Sequence, residues 1–139
     1  MAAAASTYFA NKIIDHCLRN QAFTPPAIVY LALFSASTGL DIDNPSAELS
    51  GNGYARVACT LNAASGKVTA NTSDLTFAAV TTADWVTITH TALVDHATNV
   101  TWGSNVHVLT YGTLTPNKTP TVGDIFKILA GNLDISVGA

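Results

Sequence analysis

Charge is what this chain has least of. Only 6 basic and 9 acidic residues occur among 139, or 11% charged, less than half the roughly 25% of an ordinary soluble domain. The net charge is −3, and neither sign forms a cluster. A nucleic-acid partner, which needs a concentrated basic face to displace counterions, is excluded. An anionic membrane surface is no better served. The longest apolar run, residues 27–34, falls far short of the roughly 20 residues needed to span a bilayer. The leading MAAAAS lacks a basic segment, and Asn11, Lys12 and Asp15 interrupt any apolar stretch after it. The expectation is a protein made in the cytosol without a targeting segment. Two cysteines, Cys17 and Cys59, are too few for a disulfide framework and lie outside any CxxC spacing. Both are expected to be small buried hydrophobes.

Chemically equipped residues are scarce too. Glu48 is the one glutamate in the chain. The aspartates fall mostly at strand ends and turns, where Asp starts or caps a turn, so a glycosidase's facing carboxylates are missing. No G-x-S-x-G string supplies a nucleophile elbow, and no glycine cluster joins a strand to a helix as a phosphate cradle. His90, Asp95 and His96 match no metal-ligand spacing. Asp41-Ile42-Asp43-Asn44 lacks the glycine and distant glutamate of an EF-hand. The expectation is therefore no enzyme, no metal and no cofactor.

What the chain does have is threonine, serine, asparagine and short apolar strands. Hydrophobic residues make up 48%. A soluble monomer ordinarily keeps charge on its surface, so a surface this poor in charge is expected to be largely covered in the working state. Residues 6–20 predict the one helix. Ser6 or Thr7 caps it, and Phe9, Ile13, Ile14, Cys17 and Leu18 recur at three- and four-residue spacing. Pro25-Pro26 then forces an extended path. Strands are predicted at 28–34, 54–61, 68–69, 75–78, 86–94, 106–111, 125–129 and 133–137, with a polar loop at 35–47 and turns at Gly112, Gly123 and Gly131-Asn132. In 86–94, Val86, Ile88, His90, Ala92 and Val94 alternate with threonines. About eight short strands at this spacing indicate a mainly β fold, an antiparallel sandwich or jelly roll with one N-terminal helix. One domain is expected over 1–139, with the sandwich at 28–137.

The most informative stretch is ELSGNGYAR at 48–56. Asn52-Gly53 suits a two-residue hairpin turn, since both positions need φ > 0. Glu48 and Arg56 are expected to pair across it as an exposed ion pair adding ~0–1 kcal/mol. Trp85 and Trp102 are expected to be buried anchors rather than sugar-stacking platforms.

Strings along nearly the whole chain carry a family likeness: STYFANKIIDHCLR at 6–19, FTPP at 23–26, YLALF at 30–34, ELSGNGYAR, AASG at 63–66, DLTF at 74–77, DWVTIT at 84–89, GD at 123–124 and AGNLDI at 130–135. Together they resemble a group of small tailed-phage structural proteins labelled as head-decoration (cement) or tail-fibre proteins. The chain departs from that pattern at DHATNVTWGSNVHV, 95–108, where a short turn is expected, and in having Val86 after Trp85. The resemblance implies a virion structural protein assembled in the host cytoplasm. Its jelly-roll subunits would form symmetric oligomers, a trimer favoured. Small size and low charge favour a capsid cement protein with the major capsid protein as partner. The alternative is a tail-fibre or baseplate module binding host carbohydrate, which requires exposed Trp102 or Tyr111. Contact elements are expected on the helix (Tyr8, Phe9, Ile13, His16, Arg19) and the 35–47 loop (Asp41, Asp43), with Glu48, Asn52, Gly53, Arg56 and Trp85 structural.

Overall fold

The computed structural model describes residues 3–136. Along the chain run β1 (Ala3–Ala5), α1 (Thr7–Leu18), β2 (Val29–Phe34), β3 (Val57–Cys59), β4 (Val68–Ala70), β5 (Leu75–Thr76), β6 (Ile88–Val94), β7 (Val108–Lys118), β8 (Lys127–Ile128) and β9 (Asp134–Ser136). A five-stranded sheet has the order β1-β7-β6-β2-β3, and β4-β9 and β5-β8 form two small sheets. The ladders joining these strands are antiparallel. This is the mainly β class with an N-terminal helix that the sequence indicates. The unforeseen strand is β1. Three alanines carry no strand signal; their backbone is held by pairing with Thr110, Tyr111 and Gly112.

β2 explains the layering. Residues Leu31, Ala32, Leu33 and Phe34 are all completely buried. Successive side chains point to opposite faces, so an unbroken apolar strand needs cover on both. Leu31 and Leu33 enter a first core with Cys59, Leu75, Phe77, Trp85, Ile128 and Ile135, set between the large sheet and the two small ones. Ala32 and Phe34 enter a second core with Leu40, Ala92, Val94, Val106 and Val108, on the sheet's other face. Loops roof this second core: Leu40 comes from 35–47, and completely buried Val106 and half-buried Trp102 from the 95–107 stretch.

Several predicted details are revised by this double burial. The strict alternation of 86–94 does not hold. A register shift between Ile88 and His90 puts Ile88 in the first core while Ala92 and Val94 face the second. Gly112 is no turn; it sits inside β7, paired with Ala3 and Thr91. The 54–61 strand shrinks to Val57–Cys59, because Tyr54 and Arg56 leave the ladder for a side-chain network. The turn at Asn52 (φ 50) and Gly53 (φ 85) has the expected signs, but no two-stranded hairpin flanks it. Instead Thr81 donates its N–H, and Trp85 its indole N–H, to the Asn52 carbonyl at 3.0 and 2.9 Å. Position 137 of the last predicted strand lies outside the described residues.

Ser6 starts α1 and fixes it. Its side-chain oxygen accepts from the Phe9 N–H at 3.1 Å, and its hydroxyl donates to the Val108 carbonyl. Ser6 is completely buried, and its own N–H donates to Leu109 at 3.0 Å. The helix ends at Arg19, with Asn20 at φ 53. Between these caps no residue of α1 is buried. The helix therefore does not plug the sandwich with its side chains. Cys17, expected inside, is exposed, whereas Cys59 is buried. The reason is reach: the contacts of α1 are with β7 and β1, and its last turns extend past them.

Candidate functional site

Two polar nodes hold the roofing loops and α1 in place. The first centres on Asp43, which is 6% exposed and has φ 61. One carboxylate oxygen accepts the Val108 N–H at 2.6 Å, and the other pairs with His107 Nδ1 at 2.5 Å. The His107 ring stacks on Tyr8 of α1, 3.7 Å between centroids and 4° from parallel. Asp95 accepts the His107 N–H at 2.7 Å. Burial, and then the nearby Asp95 and Asp43 charges, push the Tyr8 phenol above its ordinary value. Asp41 contributes through its backbone, its carbonyl accepting the Thr7 N–H at 2.8 Å. Gly39 (φ 79) allows the tight 39–44 turn, since a Cβ there would stand 2.0 Å from the Asn44 carbonyl oxygen. Loop 35–47 is thus fastened to the start of α1.

The second node is the Glu48–Arg56 pair. It is bidentate, with Arg56 donating through Nε to Oε1 and through its second terminal nitrogen to Oε2, both at 2.7 Å. The side chains are 3% exposed for Arg56 and 13% for Glu48, so the pair is buried and not the exposed one expected. The Tyr54 hydroxyl accepts the Leu33 N–H at 3.1 Å and donates to Glu48 at 2.9 Å. Arg56 also donates to the His96 carbonyl at 2.7 Å and lies 5.0 Å above the Trp102 ring. One ion pair thereby ties the Phe34↔Glu48 bridge, the 54–56 segment and the 95–107 roof together. His96 Nδ1 accepts from the N–H groups of Thr98 and Asn99 at 3.1 and 3.0 Å, shaping that roof.

The expected contact residues divide. Asp43 is an internal clamp, not a surface contact. Tyr8, Phe9 and Ile13 are half-buried on the inner side of α1. His16 and Arg19 are exposed; His16 Nδ1 meets the Gln21 carbonyl at 3.0 Å, and Arg19 pairs with Asp15 at 2.8 Å. Asp41 keeps an exposed side chain. Two residues missing from that expectation are Ile14 and Leu18, 50% and 80% exposed. Their spacing marks an apolar ridge, but sequence alone does not say which ridge the body covers. Trp85 is the expected anchor, with Tyr54 and Phe77 edge-on around it.

Among the described residues no group of three or more His, Cys, Asp or Glu could hold a metal. A groove of about 400 Å³ between 114–118 and 126–133 is lined by Lys118 and Lys127 but no carboxylate. It offers no acid–base pair. No helix among the described residues is long and apolar enough to cross a membrane.

The buried pair makes a sharp stability test. Glu48→Ala leaves the Arg56 guanidinium unpaired and is expected to cost about 3–5 kcal/mol, while the Glu48→Leu/Arg56→Met double variant recovers most of it. Urea unfolding measures both; a single-variant cost of ~0–1 kcal/mol, that of an exposed pair, contradicts the assignment. A second test uses alkali. Burial pushes the Cys59 thiol from 9.0 up to about 11, and burial with the Glu48 charge raises the Tyr54 phenol above 10.0. Both raised groups favour the protonated folded state, so their stabilisation is complete below the ordinary values and lost as pH rises. Urea midpoints are expected to be level near neutrality and to fall above about pH 9. Cys59→Ala and Tyr54→Phe should each flatten part of that fall; unchanged slopes would assign it elsewhere.

No curated protein matches the chain. The family model described as Gp80, podophage GP4 fiber I protein gp80, matches residues 4–136. With nearly its whole length covered, the chain belongs to this family of phage fibre proteins and is a structural component of the virion.

Proposed function

We propose that the chain is a structural subunit of a podophage fibre, held in place by repeated contacts with copies of itself. The observation that carries this is α1. It is fastened by its first turn, buries no side chain, and turns Ile14, Cys17 and Leu18 toward solvent. An amphipathic helix is stabilised by covering its apolar face, and the single chain covers this one only partway, at Tyr8, Phe9 and Ile13, leaving Ile14 and Leu18 open. The low charge supports the same reading, because identical patches lose water together in a symmetric contact. Repetition then makes weak contacts strong. A closed homo-oligomer, a trimer included, fits these requirements.

The family description supports the fibre over the capsid shell as the place of action. On the cement reading the partner would instead be the major capsid protein. Direct reading of host carbohydrate has less support. Trp102 lies beneath Arg56 and against Phe34, and Tyr111 packs on the second core. Among the described residues, the exposed large hydrophobic side chains include no aromatic ring. A sugar platform needs an open ring face.

Cryo-electron microscopy of purified podophage particles tests the proposal. Density for this sandwich repeated within the fibres is expected. Density spread over the capsid lattice would replace it with the cement reading, and absence from both would overturn the structural assignment.

A further inference from the structure

We infer that residues 3–19 are an exchangeable arm: in the assembled fibre, β1 and α1 of one copy dock on β7 of a neighbour, in the slot their own copy fills in the single chain. This rests on the assembly proposed for the fibre and names the element that links copies. The arm's polar and ring contacts come from residues 3–8. β1 pairs with Thr110, Tyr111 and Gly112, and Ser6 bonds to Val108 and Leu109. Thr7 donates to the Asp41 carbonyl, and Tyr8 stacks on His107. These partners all belong to the body, and a second copy presents the same set, so exchange forfeits none of them. Nor does the arm specify itself. Alanine favours helix over strand, so Ala3–Ala5 become a strand only where a β7 edge receives them.

The connection to the body is able to swing. After α1, residues 20–26 form neither helix nor strand, and the chain bends at 27–28 before β2 begins. Among the described residues, no hydrogen bond or ion pair joins 22–28 to the rest. Ile28, in the bend, is 52% exposed, and Pro25-Pro26 keeps the stretch before it extended. The arm's own slot needs little of this length. Tyr30 aligns with Val94 and Val94 with Val108, so Ser6 docks at the end of the sheet where β2 starts. β1 and β2 stand three strand spacings apart, roughly 14 Å. Residues 19–28, straightened, reach about 33 Å, and α1 adds about 18 Å. Together they exceed the roughly 40 Å width of a body this size. Straightening the bend at 27–28 thus delivers the arm to the next copy's β7. Exchange passed around three copies closes a ring, and passed onward it links a fibre. A dilute chain closes on itself, whereas the millimolar effective concentration inside an assembly favours the neighbour.

Paired cysteines split between two chains test the exchange. Ser6 and Leu109 are a hydrogen-bonded pair, so Ala5↔Thr110 is the adjacent non-bonded pair, with Cα atoms about 4.5 Å apart and within disulfide reach. One chain carries Ala5→Cys and another Thr110→Cys, both with Cys17→Ser; they are refolded together at millimolar concentration and oxidised. Cys59 is 3% exposed and stays silent. In closed copies neither new thiol has a partner; in exchanged copies they meet. A disulfide between the two chains is expected, its yield rising with concentration. Pro25→Gly/Pro26→Gly, which frees the linker to fold back, should lower that yield by about tenfold. A single dilute chain carrying both Ala5→Cys and Thr110→Cys should close its own disulfide, which verifies the geometry and the fold. Sedimentation of the linker variant, which alters no core residue, reads the exchange a second way, as weakened association, should Thr110→Cys not fold. If the chains associate but no disulfide joins them, each arm stays on its own body: this inference fails and the assembly proposal stands. A chain still monomeric at millimolar concentration removes both.

Discussion

The structure depends on one constraint: a five-stranded sheet apolar on both faces must be covered on both. β2 states it most plainly, with four consecutive residues completely buried and feeding two cores in turn. The small sheets β4-β9 and β5-β8 cover one face in the manner of a sandwich. Among the described residues no further sheet covers the other, so loops 35–47 and 95–107 do. Loops bury backbone polar groups only if those groups find partners, and this requirement places the charged nodes. Asp43 satisfies Val108 and His107; Arg56 satisfies the His96 carbonyl and grips Glu48.

Low charge acquires a second meaning from this arrangement. Glu48, the chain's one glutamate, and Arg56, one of two arginines, are both engaged inside the molecule. Asp43 is engaged there as well. The outer surface is accordingly poorer in charge than the composition suggests. On α1 the charges of Asp15 and Arg19 neutralise each other. The same node that buries Asp43 stacks His107 on Tyr8 and fastens the helix at its N-terminal turn. The fold thus holds α1 firmly at one end while leaving its outward ridge open, as the proposed contact between copies requires.

Much of this was legible in the sequence. The helix and its Ser6 cap, the apolar β2 strand, the Asn52-Gly53 turn and the Trp85 anchor follow from local chemistry, because each is fixed by the residues themselves. Register was not legible. The bulge near Ile88 and the continuation of β7 through Gly112 depend on which strands meet, information carried by no single segment. Nor was the depth of Glu48 and Arg56, eight residues apart and compatible with an exposed hairpin pair. Their burial comes from the 95–107 roof closing over them, which is tertiary. Asp43 reads as a loop acid until His107, distant in sequence, is placed beside it. For α1, spacing gave the apolar ridges but not which one the body leaves bare.

The central claim is that the outward ridge of α1, with Ile14 and Leu18, is bare in the single chain and covered in the assembly. Hydrogen–deuterium exchange compared between the dilute protein and the assembled fibre tests it directly. The predicted result is that amides of β2, β6 and β7 are protected in both states, while those in the last turns of α1 exchange rapidly in the dilute chain and become protected on assembly. Equal exchange of α1 in the two states would contradict the account, because the helix would then be no part of what holds the copies together.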